Sequence, residues 1–144
     1  MIKFPMKFEV AASAKSGIQS SWSAHAGDLP PISCAIPLEF NGPGKGYSPE
    51  DLFGASILNC LIAIFKVYCE KQQVSFSEIK GKVILTIDRA PSENIISVTH
   101  VDAHLEVVGA TDIEKAKKIM NSSVKDCIIS NSIKAGKTFH IIVH

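Results

Sequence analysis

One segment, Ser48–Lys71, is apolar on nearly every side of the helix that its residues are expected to form. Ser48 suits the cap position and Pro49 the first helical position. Asp51 stands three residues after the cap, where its carboxylate can reach back to the cap N–H. The main interruptions of the apolar stretch are Ser56, Asn59 and Cys60. A helix without a polar face needs cover on all sides, so the segment predicts a buried central helix.

The composition is that of a globular protein. The 144 residues are 46% hydrophobic and 20% charged, and we expect one domain over residues 1–144. The basic residues are scattered lysines and one arginine, Arg89, which gives no basic patch for nucleic acid. The N-terminal residues lack the apolar stretch of a signal peptide, and the longest apolar run ends at Lys66, short of a membrane span. We therefore expect a cytoplasmic protein without nucleic-acid or membrane partners.

Alternating apolar and polar side chains predict strands both before and after the central helix in the sequence. The predicted strands cover residues 2–12, 18–26, 32–40, 81–89, 95–108 and 137–144. A second helix is predicted from Thr111 to just before Cys127, followed by a short helix or turn over 128–133. In the strand over 95–108, apolar and polar residues alternate, which indicates an antiparallel sheet with one face toward water. The predicted fold class is α+β, with antiparallel sheets packed around the long central helix.

The central helix also predicts an assembly. Covering every side of it takes more than the strands of one 144-residue chain. A second copy is expected to complete the core, which gives an intertwined homodimer.

The chain has four cysteines at wide spacings: Cys34, Cys60, Cys69 and Cys127. They match neither a secreted disulfide framework nor paired zinc knuckles. Cys60 and Cys69 are nine residues apart, about 180° around a helix, so they point in opposite directions and cannot pair. The residues alone predict Cys34 and Cys69 to be buried small hydrophobic side chains. For Cys60 and Cys127, burial without reactivity and a reactive thiol both stay open.

Two further patterns contain residue types that binding sites use. His100, Asp102 and His104 share one strand face, which could bind a metal but is more typical of a solvated polar face. No metal site is therefore predicted, and His140 and His144 are expected on an outer strand face. The loop over 42–46 is glycine-rich but lacks the spacing of a phosphate-binding loop, so it is interpreted as a flexible linker.

Two stretches resemble motifs of a known family. Residues 47–60 read YSPEDLFGASILNC and residues 124–133 read VKDCIISNSI. The first is similar to the Pro-Glu-x-Leu-(about eight residues)-Cys signature of the OsmC/Ohr family, named for osmotically inducible protein C and organic hydroperoxide resistance protein. The second is similar to that family's Cys-Pro-(Ile/Val)-Ser-(Asn/Arg)-Ala-Leu segment. The order of predicted strands agrees as well, so the resemblance covers essentially the whole chain.

The resemblance implies an OsmC-like fold and a thiol peroxidase that needs no metal or cofactor. Cys60 is then the peroxidatic residue, whose thiolate attacks a hydroperoxide and leaves an alcohol and a sulfenic acid. Cys127 condenses with that sulfenic acid to a transient disulfide, which an external dithiol reduces. The implied partners are a second copy, a small organic hydroperoxide and the dithiol.

The resemblance also implies a supporting polar network. In the hydroperoxide-resistance branch it consists of a loop arginine near the N-terminus and the glutamate of the Pro-Glu pair. Glu50 matches the glutamate, but no arginine precedes Arg89. Lys15, in the turn between the first two strands, lies nearest the expected place, and a lysine supplies charge without the bidentate fork of arginine.

The spacing of Glu50 and Cys60 constrains how they could cooperate. Ten residues are about 15 Å along one straight helix. Assistance therefore requires a break in the helix or a glutamate from the other subunit. Alternatively, Glu50 only favours the N-terminus of its own helix electrostatically.

Two alternatives to a peroxidase remain at this stage. One is a dimer that binds an apolar small molecule at the subunit interface without turnover, which the missing arginine favours. The other is a purely structural dimer, which requires that Cys60 and Cys127 lie too far apart to bond.

Overall fold

The computed structural model describes residues 2–144. The strands are β1 (Ala11–Ser13), β2 (Trp22–His25), β3 (Ile32–Cys34), β4 (Glu78–Arg89), β5 (Ile96–Val108) and β6 (Gly136–Val143). The helices are α1 (Pro49–Lys71), α2 (Ile113–Asp126) and α3 (Ile128–Asn131), with one 3-10 turn at Leu38–Phe40. The predicted α+β class is confirmed. The chain divides into two compact units, one through Leu52 and one from Phe53 to His144.

Helix α1 begins where the sequence predicts. The Ser48 hydroxyl accepts a hydrogen bond from the Asp51 N–H, and the Ser48 N–H donates to Asp51 Oδ2, both at 3.0 Å. This reciprocal pair satisfies the backbone N–H groups of Ser48 and Asp51 at the start of the helix. The helix then runs unbroken to Lys71. By length and composition alone it could also cross a membrane, which corrects the expectation of a run too short to do so, and core helices of soluble proteins pass the same test.

The first unit holds a small antiparallel sheet in the order β1-β2-β3. The prediction of a strand over 2–12 is wrong for most of its length, because only Ala11–Ser13 pairs with another strand of the chain. The alternating apolar residues before it remain exposed: Phe4, Met6, Phe8 and Val10. A strand needs a neighbour to accept its backbone hydrogen bonds, and residues 2–144 of one chain supply none here.

The third predicted strand is also shorter than expected. It ends at Cys34 instead of Phe40, since Pro37 has no N–H for a ladder and a 3-10 turn follows it. The glycine-rich loop over 42–46 is ordered instead of flexible. The Gly42 N–H donates to the Pro37 carbonyl and the Gly44 N–H to the Ile36 carbonyl, at 3.0 and 3.1 Å. These amides are occupied by the chain itself.

The second unit contains a mixed sheet in the order β4-β5-β6. Strands β4 and β5 pair antiparallel, from Glu78 opposite Val108 to Arg89 opposite Ile96, which confirms the predicted antiparallel sheet for this pair. The prediction is wrong for β6, which pairs with β5 in parallel, with His100 opposite Gly136. A parallel neighbour requires a long crossover connection, and α2 and α3 provide it.

One face of α1 is buried in the core of the second unit. Its buried residues recur every four positions: Ile57, Leu61, Phe65 and Cys69. They cluster with the inward side chains of β5 and with three residues of α2: Val101, Ala103, Leu105, Val107, Ala116, Ile119 and Met120. The remaining apolar surface of α1 is less covered, and Val67 is 49% exposed. A single chain therefore buries one face of the predicted central helix.

Candidate functional site

Cys60 and Cys127 lie side by side in the second unit. Cys60 is on α1, partly exposed and packed against the core cluster. Cys127 joins α2 to α3 and is 0% exposed. The Cys60 side chain is close enough to contribute to the raised pKa of Cys127, and both thiols are free. The structure thus brings together the two cysteines that the sequence motifs single out, although they are 67 positions apart in the chain (127 − 60).

The surroundings of Cys127 keep its thiol protonated. Burial raises the pKa of Cys127 from 9.0 to about 11, and the neighbouring Cys60 side chain contributes to the rise. The N–H groups of Ser130 and Ile129 oppose it, and the Ser130 N–H donates to Cys127 Sγ at 3.4 Å. Because the net pKa lies well above neutral, Cys127 carries an S–H proton that it can give to a group at Cys60.

Hydrogen bonds fix the corner of the chain at Cys127. The Asn131 N–H donates to the Cys127 carbonyl, and the Asn131 side-chain amide donates to the Lys125 carbonyl, both at 2.9 Å. The Tyr68 hydroxyl donates to Asp126 Oδ2 at 2.7 Å. Tyr68 was missed by sequence reasoning because its partner is 58 positions away, and neither residue belongs to a local motif.

The other two cysteines are buried, as predicted. Cys34 is 3% exposed on β3, and Cys69 is 2% exposed on the covered face of α1. Burial raises the pKa of Cys69. A thiol without access to solvent is a poor nucleophile, so both act as small hydrophobic residues.

The predicted supporting residues Glu50 and Lys15 belong to the first unit. Glu50 lies in the first turn of α1, and its Oε2 atom is buried without a hydrogen-bond partner among residues 2–144. Lys15 is exposed between β1 and β2. Since α1 is unbroken, Glu50 and Cys60 of one chain stay about 15 Å apart along the helix axis. A break in the helix, one of the two routes to cooperation, is therefore excluded in this structure.

The polar face of the second sheet carries the histidines. His104 and His140 are opposite each other on β5 and β6, and their rings stack with centroids 4.3 Å apart. Asp102 Oδ1 lies 3.8 Å from His100 Nε2 and 3.5 Å from His140 Nε2. Within residues 2–144 no three such side chains converge as metal ligands. The face is a half-exposed polar surface, as the alternation predicts.

Comparison with known proteins identifies the family. A family model described as OsmC-like protein matches residues 42–141. The chain belongs to the OsmC-like family. An uncharacterized protein of Methanocaldococcus jannaschii is 31% identical over 96 residues, which are 62% of this chain and 49% of that protein. The chain thus spans about half the length of the curated relative that it matches.

Solved structures share the fold. An OsmC-like protein of unknown function from Vibrio cholerae superposes with a TM-score of 0.84 at 17% identity, over 96% of this chain and 100% of that chain. An organic hydroperoxide resistance protein from Legionella pneumophila superposes with a TM-score of 0.72 at 20% identity, over 96% and 98%. The predicted OsmC-like fold, that of a soluble domain, is confirmed.

Proposed function

We propose that this OsmC-like protein is a thiol peroxidase that reduces organic hydroperoxides with Cys60 and Cys127. The observation that carries the proposal is the pairing of two unlike thiols. Cys60 is partly exposed, so a hydroperoxide can reach it, while Cys127 is fully buried and keeps its proton. Membership of a family whose structural neighbours include a hydroperoxide resistance protein supports the same chemistry.

The proposed reaction begins at the more accessible sulfur. The Cys60 thiolate attacks the distal oxygen of the hydroperoxide, the O–O bond breaks, and the alkoxide takes up a proton to leave as the alcohol. Cys60 is then a sulfenic acid. The thiolate is the nucleophile in this step.

Cys127 then closes the disulfide. Its sulfur attacks the sulfur of the Cys60 sulfenic acid, and the departing hydroxide takes the proton of Cys127 and leaves as water. An external dithiol next attacks the disulfide at Cys60, because Cys127 is 0% exposed. Cys127 leaves as the thiolate, and the second thiol of the reductant releases Cys60. Two electrons from the dithiol thus reach the hydroperoxide.

The active form is proposed to be a homodimer in which residues 1–144 act as one OsmC-like domain. The exposed apolar surface of α1, including Val67, supports a second copy as its cover. The buried, unpartnered Oε2 of Glu50 supports it too, because such an atom is costly unless a donor reaches it. Glu50 of the second copy is then the glutamate near Cys60, with Lys15 as its cation. The family model matches residues on both sides of the boundary between the two units, which supports a single domain.

A reducing compartment suits this chemistry. All four cysteines are free, and free thiols persist in the cytoplasm. We therefore propose a cytoplasmic enzyme.

Cys60→Ser tests the proposal directly. With cumene hydroperoxide and a dithiol, consumption of peroxide is expected to fall at least about 1,000-fold, since the nucleophile is lost. The matched control is Cys69→Ala on the same helix, which is expected to keep the activity. Cys127→Ser is expected to form the Cys60 sulfenic acid once and then stop. Full activity in Cys60→Ser would falsify the mechanism.

One observation favours the non-catalytic alternative, a dimer that binds an apolar molecule. No arginine precedes Arg89, and Lys15 is exposed, so the cation that would support a thiolate is not positioned by a single chain. Mass spectrometry of the Cys60 peptide after one equivalent of hydroperoxide separates the two functions. An unmodified peptide favours the binding protein.

A further inference from the structure

One hydrogen bond connects the helix of Cys60 to the corner of Cys127. The Tyr68 hydroxyl donates to Asp126 Oδ2 at 2.7 Å. Tyr68 lies two turns after Cys60 on α1, and Asp126 is the last residue of α2, directly before Cys127. The bond therefore joins the two elements that carry the thiols, at a residue next to one of them.

The other hydrogen bonds of this corner are local. The Ser130 N–H reaches Cys127 Sγ, and the two donors of Asn131 reach carbonyls of Cys127 and Lys125. All of these groups lie within residues 125–131. They set the shape of the corner, but they do not set its distance from α1.

The hydrogen bond to Asp126 raises the pKa of Tyr68 above its ordinary value of 10.0, with further increases from burial and from the charge of Asp126. The phenol thus remains an O–H donor at neutral pH. Its ring also packs against the core cluster, which holds the hydroxyl in position.

We propose that Tyr68 is a positioning residue, which through Asp126 sets the place of Cys127 relative to Cys60 and so the rate of disulfide closure. The inference rests on the proposed peroxidase function. A disulfide has narrow geometric limits, with Cβ atoms about 3.8 Å apart, so a small displacement of the corner slows closure. Slow closure leaves the Cys60 sulfenic acid open to a second hydroperoxide, which oxidises it to sulfinic acid and is itself reduced to the alcohol.

Tyr68→Phe removes the hydroxyl and keeps the ring. After rapid mixing with cumene hydroperoxide, formation of the Cys60 sulfenic acid is expected at the wild-type rate. Disulfide closure is expected to slow about 3- to 10-fold, the cost of a modest misplacement. The sulfinic fraction of Cys60, measured by mass spectrometry at excess hydroperoxide, is expected to rise by a similar factor. A purely stabilising role would leave that partition unchanged.

The chain offers a matched control. Lys115 Nζ in the first turn of α2 donates to the Gln72 carbonyl, just after α1, at 2.8 Å. Lys115→Met removes this bond between the same two segments at the end far from Cys127, and closure is expected to stay at the wild-type rate. Asp126→Asn keeps an acceptor for the phenol and is expected to resemble wild type, whereas Asp126→Ala should resemble Tyr68→Phe.

The outcomes separate this inference from the peroxidase function. Diamide oxidises two neighbouring thiols to a disulfide and is itself reduced to the hydrazine, so it measures closure without a hydroperoxide. If the wild type forms no sulfenic acid, the peroxidase function fails, while slower diamide closure in Tyr68→Phe still supports the positioning role. Wild-type closure in Tyr68→Phe with both oxidants, or equal slowing in Lys115→Met, overturns that role.

Discussion

The cysteine pair and the residues expected to activate it differ in their surroundings in the described chain. Cys60 and Cys127 are neighbours in the second unit, with hydrogen bonds that hold the Cys127 corner. Glu50 Oε2 is buried without a hydrogen-bond partner in the described chain, and Lys15 is exposed. We propose from this difference that forming the disulfide needs one chain, whereas activating the attack on hydroperoxide needs two.

The largest effect is expected from breaking the proposed dimer, which separates disulfide formation from activation of the attack on hydroperoxide. Val67→Glu places a charge on the exposed apolar surface of α1, where covering it without a partner charge is costly. The variant is expected to run as a monomer in size-exclusion chromatography. Its reaction with cumene hydroperoxide is expected to slow about 100-fold because the site loses its second-copy groups, while diamide still closes the Cys60–Cys127 disulfide.

The control places the same charge elsewhere. Ile142 is 55% exposed on β6 beside Lys80 and Lys82, so Ile142→Glu should leave both size and activity unchanged. If Val67→Glu is monomeric and fully active, one chain suffices for activation and the comparison fails. If it remains a dimer, the proposed cover of α1 is wrong.

A smaller effect is expected from the acid itself. Glu50→Gln keeps the shape and removes the charge, so it weakens a charge-assisted hydrogen bond by about 1.5 kcal/mol, or about 10-fold in the rate of Cys60 oxidation. Diamide closure should not change. The measurement is the rate of sulfenic acid formation under single-turnover conditions.

Asp51→Asn is the matched control for Glu50. It neutralises the other carboxylate of the first turn, which bonds the Ser48 N–H. A role limited to the helix N-terminus predicts that both variants lose about 0.3–1 kcal/mol of stability and keep the oxidation rate. Slower oxidation in Glu50→Gln alone excludes that limited role.

Local chemistry decided which parts of the fold were predictable from the sequence. The bounds of α1 follow from the capping pair of Ser48 and Asp51, and the β4–β5 hairpin follows from alternating side chains. The segment over 2–10 has the alternation of a strand but no neighbouring strand in the chain, so the pattern alone could not fix its structure. The parallel placement of β6 depends on a crossover that no local pattern specifies.

The candidate site divides in the same way. The motifs around Cys60 and Cys127 singled out both thiols, because each motif is local. The bond between Tyr68 and Asp126 joins residues 58 positions apart, and the raised pKa of Cys127 arises from burial, which the sequence does not display. The activating network of Glu50 and Lys15 stays a prediction, because the sequence has no arginine before Arg89 to complete the family's pattern.

The smallest expected effect sharpens the account of Cys127 and appears in alkaline solution. The pKa of this thiol is 9.0 when unburied and about 11 in the fold. A raised folded pKa favours the protonated state, so its contribution to stability is complete below pH 9 and is lost as the pH rises toward 11. Urea unfolding of the reduced protein from pH 7 to 11, compared with Cys127→Ala, follows this contribution. The stability advantage of the wild type over Cys127→Ala should hold to pH 9 and then shrink. A constant difference up to pH 11 would mean that the buried thiol does not hold its proton. Cys127 would then lose its assigned part in the release of water.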